Sequence, residues 1–329
     1  MDKRNTHMQA MSKQKREGSV TVIVPFYNEE DLIEKKFLNC VELVMPKTGM
    51  IIFVNDFSID ESPNIIRKLA QSINPDKLLV VDNKYFKGKI GAIKTGYKIA
   101  NTEYVVTTDT DVLVNDNAIL ELSSVLDANS NIGLTFGEVE QYRTLHQYLM
   151  HKLHALLSLI DSAVSVTGQL FMFRKNIEIE FDEKMIADDG DIPIQIRKKG
   201  YLCKQVPSAI FVDKRQEDNE VISSKRRILG LYQALHKHMD VCFNINYGWY
   251  GIICYPICVC YVPALSVLFL SICVFFVLSL ASIHFSLGLI GLISMFGFGE
   301  FRKKIFLSFR TLYTLIYYFV TKNADCTWR

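Results

Sequence analysis

Residues 107–114 read TTDTDVLV, and the two aspartates Asp109 and Asp111 close the strand-like run that begins Tyr104-Val105-Val106. Along a strand, residues i and i+2 share a face, so the two carboxylates stand side by side and repel. Such a pair is tolerated where a cation sits between the charges, or where the strand simply ends in a polar turn, a place where aspartate is common. A second acidic group occurs at Asp188-Asp189-Gly190-Asp191, at the head of ADDGDIPIQIRKKGY (187–201). That segment reads as an amphipathic helix closed by Gly200, and acidic residues in a first helical turn also complement the helix dipole.

The elements that must position these groups alternate. VTVIVPF (20–26), GMIIFVND (49–56), DKLLVVDN (76–83) and EYVVTTDTD (103–111) have the composition of strands, separated by helical patterns after residue 28, over 62–73 and over 88–100. Alternation of this kind predicts an α/β fold with a parallel sheet covered on both faces. Ligands of such sheets bind at the carboxyl ends of the strands. The strands end in Tyr27-Asn28-Glu29, Asn55-Asp56, Asp82-Asn83 and Asp109/Asp111, so the polar residues converge on that one edge. Further on, the pattern predicts a helix over 117–129, a strand over 133–141, a long helical stretch through Ser158 and the segment VTGQLFMFRK (166–175).

The chain has 329 residues, a formal charge of +2 and 12% aromatics, with a mean hydropathy of +0.14. So small a charge gives no basis for a nucleic-acid partner, and none is expected. The apolar content is concentrated: the 53 residues from Tyr247 to Gly299 contain no Asp, Glu, Lys or Arg, whereas one membrane span needs about 20. Lys225, Arg226, Arg227 and Lys237 precede this block and Arg302, Lys303 and Lys304 follow it. The positive-inside bias then puts both flanks in the cytoplasm, which requires an even number of crossings between them. The expected organisation is a disordered basic tail over 1–17, a cytoplasmic domain over 18–240 and a membrane region over 241–329 with two or three spans. The clearest span is 264–283, with 247–262 partly interfacial, and 305–320 is either a third crossing or an interfacial helix. The expected location is therefore the cell membrane, multi-pass, with membrane lipids as partners. The eight cysteines lack any CxxC pair and half of them lie in the apolar block, so they are read as inert.

Taken together, the motifs resemble those of the family-two inverting glycosyltransferases with the GT-A fold, in particular the membrane-integrated branch that includes the cellulose, hyaluronan and poly-N-acetylglucosamine synthases. IVPFYNEE resembles the family's V-P-x-Y-N-E opening, VNDFSIDES its V-D-D-G-S-T-D-x-S, and KGKIGAIKTG its G-K-x-x-A-[LI]-x-x-G. TDTD supplies the DxD, VTGQLFMFRKN resembles the acceptor segment, and IADDGDIPIQIRKKGY resembles the E-D-x-D-L stretch, with Asp188 in place of glutamate.

The resemblance implies a GT-A nucleotide-binding domain followed by C-terminal transmembrane helices, acting on a nucleotide-sugar donor (a UDP- or GDP-sugar). It implies that Asp111 holds Mg²⁺ or Mn²⁺, with Asp109 reaching both the metal and the sugar–ribose side. Asp56 is implied to receive the nucleotide base, with Pro25, Tyr27 and Glu29 lining the same pocket. Lys89 or Lys94 is a candidate for a phosphate, or either is a surface lysine. Asp189 is implied as the general base, with Asp188 as the alternative and Asp188 and Asp191 as like charges beside it. Processive members carry a Q-x-x-R-W motif; at that place this chain has SSKRR (223–227), which keeps Arg226 for the diphosphate and puts Arg227 where the tryptophan would stack. Transfer of one sugar to a lipid-linked or saccharide acceptor is therefore expected. The alternatives are processive polysaccharide synthesis and a catalytically silent membrane scaffold. A nucleotidyltransferase would carry a Gly-rich basic loop after its first strand, where this chain has PFYNEE.

Overall fold

A computed structural model describes residues 19–43, 49–214, 220–260 and 271. The described residues fall into two compact units, the first comprising residues up to 214 and the second those from 220 onward. The expected tail at 1–17 and the expected spans at 264–283 and 305–320 lie outside the described residues. Among the described residues no helix is long and apolar enough to cross a membrane.

The first unit is built on an eight-stranded sheet. Its strands are β1 (Val20–Phe26), β2 (Met50–Asn55), β3 (Leu78–Asp82), β4 (Tyr104–Thr108), β5 (Val112–Val114), β6 (Ile132–Val139), β7 (Leu170–Arg174) and β8 (Leu202–Asp213). The order across the sheet is β3-β2-β1-β4-β7-β6-β8-β5. Strands β1 to β4 are parallel, as the alternation predicts. Beyond β4 the sheet is mixed: β7 runs antiparallel to both β4 and β6, and β5 antiparallel to β8.

The helices of this unit are α1 (Ile33–Glu42), α2 (Ser62–Ala70), α3 (Lys89–Ile99), α4 (Ala118–Ala128), α5 (Leu145–Ile160) and α6 (Asp188–Lys198). The period of two divides the strand side chains between two buried layers. Val22, Val24, Phe53 and Val106 meet Ile33, Phe37, Ile66 and Leu122 on one face. Ile23, Ile52, Val54 and Val105 meet Ala92, Ile192 and Ile196 on the other. Both faces are covered, which is why the parallel strands read as continuous apolar runs. Burying a side chain such as Phe53 contributes roughly 1.5–3 kcal/mol relative to leaving it in water.

Because β1 pairs with β2 on one side and β4 on the other, the chain order reverses between β1 and β4. This is the topological switch point where open α/β sheets take their ligands.

The second unit contains α7 (Glu220–Lys237) followed by short helical turns up to Cys254. The Tyr255 hydroxyl donates to the Leu235 carbonyl at 2.6 Å and the Tyr232 hydroxyl to the Val259 carbonyl at 3.0 Å, which fastens the segment after residue 250 back onto α7.

Candidate active site

The register of the parallel strands levels the polar residues. Phe26 stands opposite Asn55, and Asn55 opposite Asp82, so the ends of β1, β2 and β3 form one row. Asn55 Nδ2 donates to Asp82 Oδ1 at 2.9 Å, and Arg67 from α2 reaches the same oxygen at 2.7 Å. Asp56, one residue past β2, is fully buried. Its carboxylate accepts from Asn83 Nδ2 at 2.7 Å and from the Gly88 N–H at 2.8 Å, so it fixes the 83–88 loop that leads into α3. That loop passes so close to the helix that a Cβ on Gly91 would fall 1.9 Å from the Phe86 carbonyl oxygen. Tyr27 and Glu29 are half-buried at the end of β1. The Lys87 ammonium lies 4.5 Å from the centroid of the Tyr27 ring.

Asp109-Thr110-Asp111 forms the turn between β4 and β5. Several bonds fix it: the Thr110 hydroxyl donates to the carbonyl of the buried Pro25 at 3.1 Å. Val112 N–H donates to Asp109 O at 3.3 Å, and Lys214 N–H to Asp111 O at 2.8 Å. The turn is thereby tied to β1, across the switch point, and to the end of β8.

Lys89, the first residue of α3, links the turn to the other acidic group. Its Nζ lies 2.7 Å from Asp109 Oδ1 and 3.3 Å from Asp188 Oδ2, and donates to the Gly168 carbonyl at 3.0 Å. Burial alone would lower the pKa of this ammonium; Asp109 and Asp188 more than offset that and hold it above the ordinary lysine value. Burial pushes the Asp188 carboxyl up, with Lys89 pulling the other way. Lys94, the other phosphate candidate, instead lies over the Tyr85 ring at 4.5 Å.

Asp189 is half-buried, whereas Asp188 and Asp191 are buried. A Cβ on Gly168 would come 2.7 Å from Asp189 Oδ2, so the glycine of VTGQ leaves the room that this carboxylate occupies. Asp191 is held by Gln195 Nε2 at 2.6 Å, and Gln195 is itself fixed to the backbone of Glu180. Next along the VTGQ segment, Gln169 Nε2 donates to Asp213 Oδ2 at 2.7 Å, and Arg143 donates to the Asp213 carbonyl at 2.7 Å.

The structure therefore brings Asp109, Asp188 and Lys89 into direct contact, sets Asp189 beside Gly168, and joins Asp111 through its backbone to β8. Arg226 lies on α7 in the second unit, and its side chain is outside the described set. Asp109 and Asp111 offer hard carboxylate oxygens on one turn, a donor set that fits Mg²⁺ or Mn²⁺. Among the described residues no group of three or more His, Cys, Asp and Glu forms a complete cage. A two-carboxylate site is what a cation sharing its coordination with substrate phosphates and water requires.

Sequence reading missed Lys36 and Asp213, and it met Gly168 and Gln169 only inside the segment VTGQLFMFRKN. Lys36 alone left a usable signal: it stands with Ile33, Phe37 and Cys40 at the spacing of the buried face of α1.

This architecture is an α/β nucleotide-binding fold of the GT-A type. The chain belongs to glycosyl transferase family 2, whose model matches residues 21–186, half of its length. It is 24% identical over 204 residues to a poly-beta-1,6-N-acetyl-D-glucosamine synthase of Staphylococcus aureus, covering 58% of this chain and 48% of that protein. It is 24% identical over 215 residues to the probable glycosyltransferase YdaM of Bacillus subtilis, covering 60% of this chain and 51% of that one. The matches thus span about half the length of these curated relatives. Among solved structures it is similar to the mannosyltransferase PcManGT from Pyrobaculum calidifontis, a structure in complex with GDP-Man and Mn²⁺. The TM-score is 0.69 and the identity 22%, over 92% of this chain and 88% of that one, a likeness of fold.

Proposed function

We propose that the chain is a divalent-metal-dependent, inverting glycosyltransferase that moves one sugar, or very few, from a nucleotide-sugar to a lipid-linked or saccharide acceptor. The observation that carries this reading is the contact of Asp109 and Asp188 through Lys89, which joins the donor edge of the sheet to the helix that heads the acceptor side. The nucleotide occupies the row at the ends of β1 to β3, lined by Pro25, Tyr27 and Glu29, with Asp56 shaping the pocket through the 83–88 loop. Asp111 and Asp109 would hold a divalent cation, which would neutralise the charge that develops on the leaving diphosphate.

Lys89 adds a fixed positive charge on the same side. Asp189, partly exposed and backed by Gly168, takes the proton from the acceptor hydroxyl as its oxygen attacks the anomeric carbon and the bond to the diphosphate breaks. Asp188, buried and pinned by Lys89, is left to position the turn.

The domain expected over 18–240 is proposed to work at the cytoplasmic face, anchored by 241–329 with two or three spans in the cell membrane. The uncharged stretch from Tyr247 to Gly299 supports this. So does the second unit, which exposes Phe243, Ile245 and Trp249, a set suited to the headgroup boundary.

The test is release of nucleoside diphosphate by the purified protein in detergent with Mn²⁺ against a panel of UDP- and GDP-sugars. No release from any donor, with or without acceptor lipids, overturns the reading in favour of a silent scaffold. A second reading, processive synthesis, is favoured by the relative that is a polysaccharide synthase. Product size by mass spectrometry separates the two: one or a few added sugars supports the first, and a long homopolymer the second.

A further inference from the structure

Lys36 lies on α1 and is fully buried, an unusual place for a lysine. Its Nζ donates to the Thr108 hydroxyl at 3.0 Å and to the Val112 carbonyl at 2.6 Å. These two residues are the last of β4 and the first of β5, so one ammonium spans both ends of the Asp109-Thr110-Asp111 turn from beneath. One helical turn further on, Asn39 repeats the grip, donating to the Val114 carbonyl at 2.7 Å and accepting from the Val114 N–H at 2.9 Å. Helix α1 starts right after the Tyr27–Glu29 loop, and Glu29 O accepts the Ile33 N–H at 2.8 Å. A single helix therefore connects the nucleotide edge to the acidic turn. Burial lowers the pKa of the Lys36 ammonium, with Cys40, Asp109 and Asp111 acting against it. A leucine or methionine would fill the same space without that desolvation cost, so packing alone does not account for a lysine here.

We propose that Lys36 is a positioning residue of the metal-binding turn: by bonding Thr108 and Val112 it holds the turn so that Asp109 and Asp111 are set before the cation arrives. This rests on the glycosyl-transfer reading above and concerns a residue that the reading does not use. Two consequences of removing Lys36 have opposite signs. Losing a nearby positive charge would tighten cation binding to the two aspartates, whereas losing the anchor would loosen the turn and weaken it. The proposal commits to weakening.

The experiment measures Mn²⁺ binding alone, by electron paramagnetic resonance on the nucleotide-free full-length protein in detergent, beside thermal stability. Lys36→Met is expected to weaken Mn²⁺ binding by about tenfold or more, the usual effect of losing a residue that orients metal ligands. Thr108→Val, which removes one of the two anchors and leaves the amine, is expected to weaken it less and keeps the test valid if Lys36→Met does not fold. In turnover assays the loss should be recovered by raising Mn²⁺, appearing in the Mn²⁺ requirement rather than in kcat. Unchanged or tighter Mn²⁺ affinity in a folded variant overturns the role of Lys36 while leaving the glycosyltransferase reading intact. Absence of Mn²⁺ binding by the parent protein, both without nucleotide and with UDP or GDP added, overturns the metal-dependent reading and this inference with it.

Discussion

The Val166 N–H donates to the Asp189 carbonyl at 3.0 Å, an oxygen that its own helix leaves without a partner because residue 193 is a proline. In an unbroken α-helix that carbonyl would accept from the N–H four residues on. Pro193 lies inside α6 and has no N–H to give. The carbonyl is left for the VTGQ segment, and the candidate base is thereby tied to that segment through main chain.

Pro193→Ala is accordingly expected to hold or raise thermal stability, since proline in a helix interior is disfavoured by about 3 kcal/mol relative to alanine. Transfer should nevertheless slow, because the restored helical bond competes for the carbonyl that Val166 uses. Melting temperature and diphosphate release, measured on the same preparation, check both halves; a variant that is less stable and equally active contradicts the account.

Asp111→Asn should abolish most turnover while leaving the fold unchanged, because the residue sits on a turn at the end of β4 rather than in either core layer. Metal affinity, melting temperature and turnover are to be read together. Full turnover in this variant removes the metal assignment.

Asp189→Asn should keep donor binding and lose transfer, since the base acts on the acceptor and not on the nucleotide. Loss of one general base costs about 10²–10⁴-fold in rate. Calorimetry with the nucleotide-sugar distinguishes this from a donor-site role, which would show as lost binding.

The parallel half of the fold was legible because both faces of β1, β2 and β4 are buried, giving apolar runs between helical patterns. The second half was less so. Strand β8 was not anticipated: it contains Pro207, and the β6–β8 register shifts between Phe136 and Glu138, so no simple alternation marks LCKQVPSAIFVD. Strand β5 has three residues, too few to show a period. The acidic pairs at Asp109/Asp111 and Asp188/Asp189 were visible as residue types at short spacing. What joins them was not, because Lys89, Gly168 and Asp109 meet only once the sheet is assembled. Asp56 shows the same limit: its identity was readable, but not that both its oxygens hold the loop before α3.

A last prediction concerns acid. His154 on α5 is buried, and its Nε2 lies 3.0 Å from the Ser165 hydroxyl, beside the segment that carries Gly168. Burial pushes the imidazole down to about 3, with His151 adding to the effect and Glu138 opposing it. In the unfolded chain the same group titrates near 6.5. Between those values the unfolded state binds a proton that the folded state does not, so the stability this neutral histidine contributes is complete above about pH 6.5 and is lost as the pH falls towards 3. The slope for one group is about 1.4 kcal/mol per pH unit. His154→Phe keeps a ring against Phe136, whose centroid is 6.1 Å away, and removes the titration. Urea unfolding across the acid range should therefore show a flatter loss of stability in the variant than in the parent, whatever the offset between them at neutral pH. Parallel pH profiles would mean that His154 is protonated in the folded protein, and that its bond to Ser165 is made by an imidazolium.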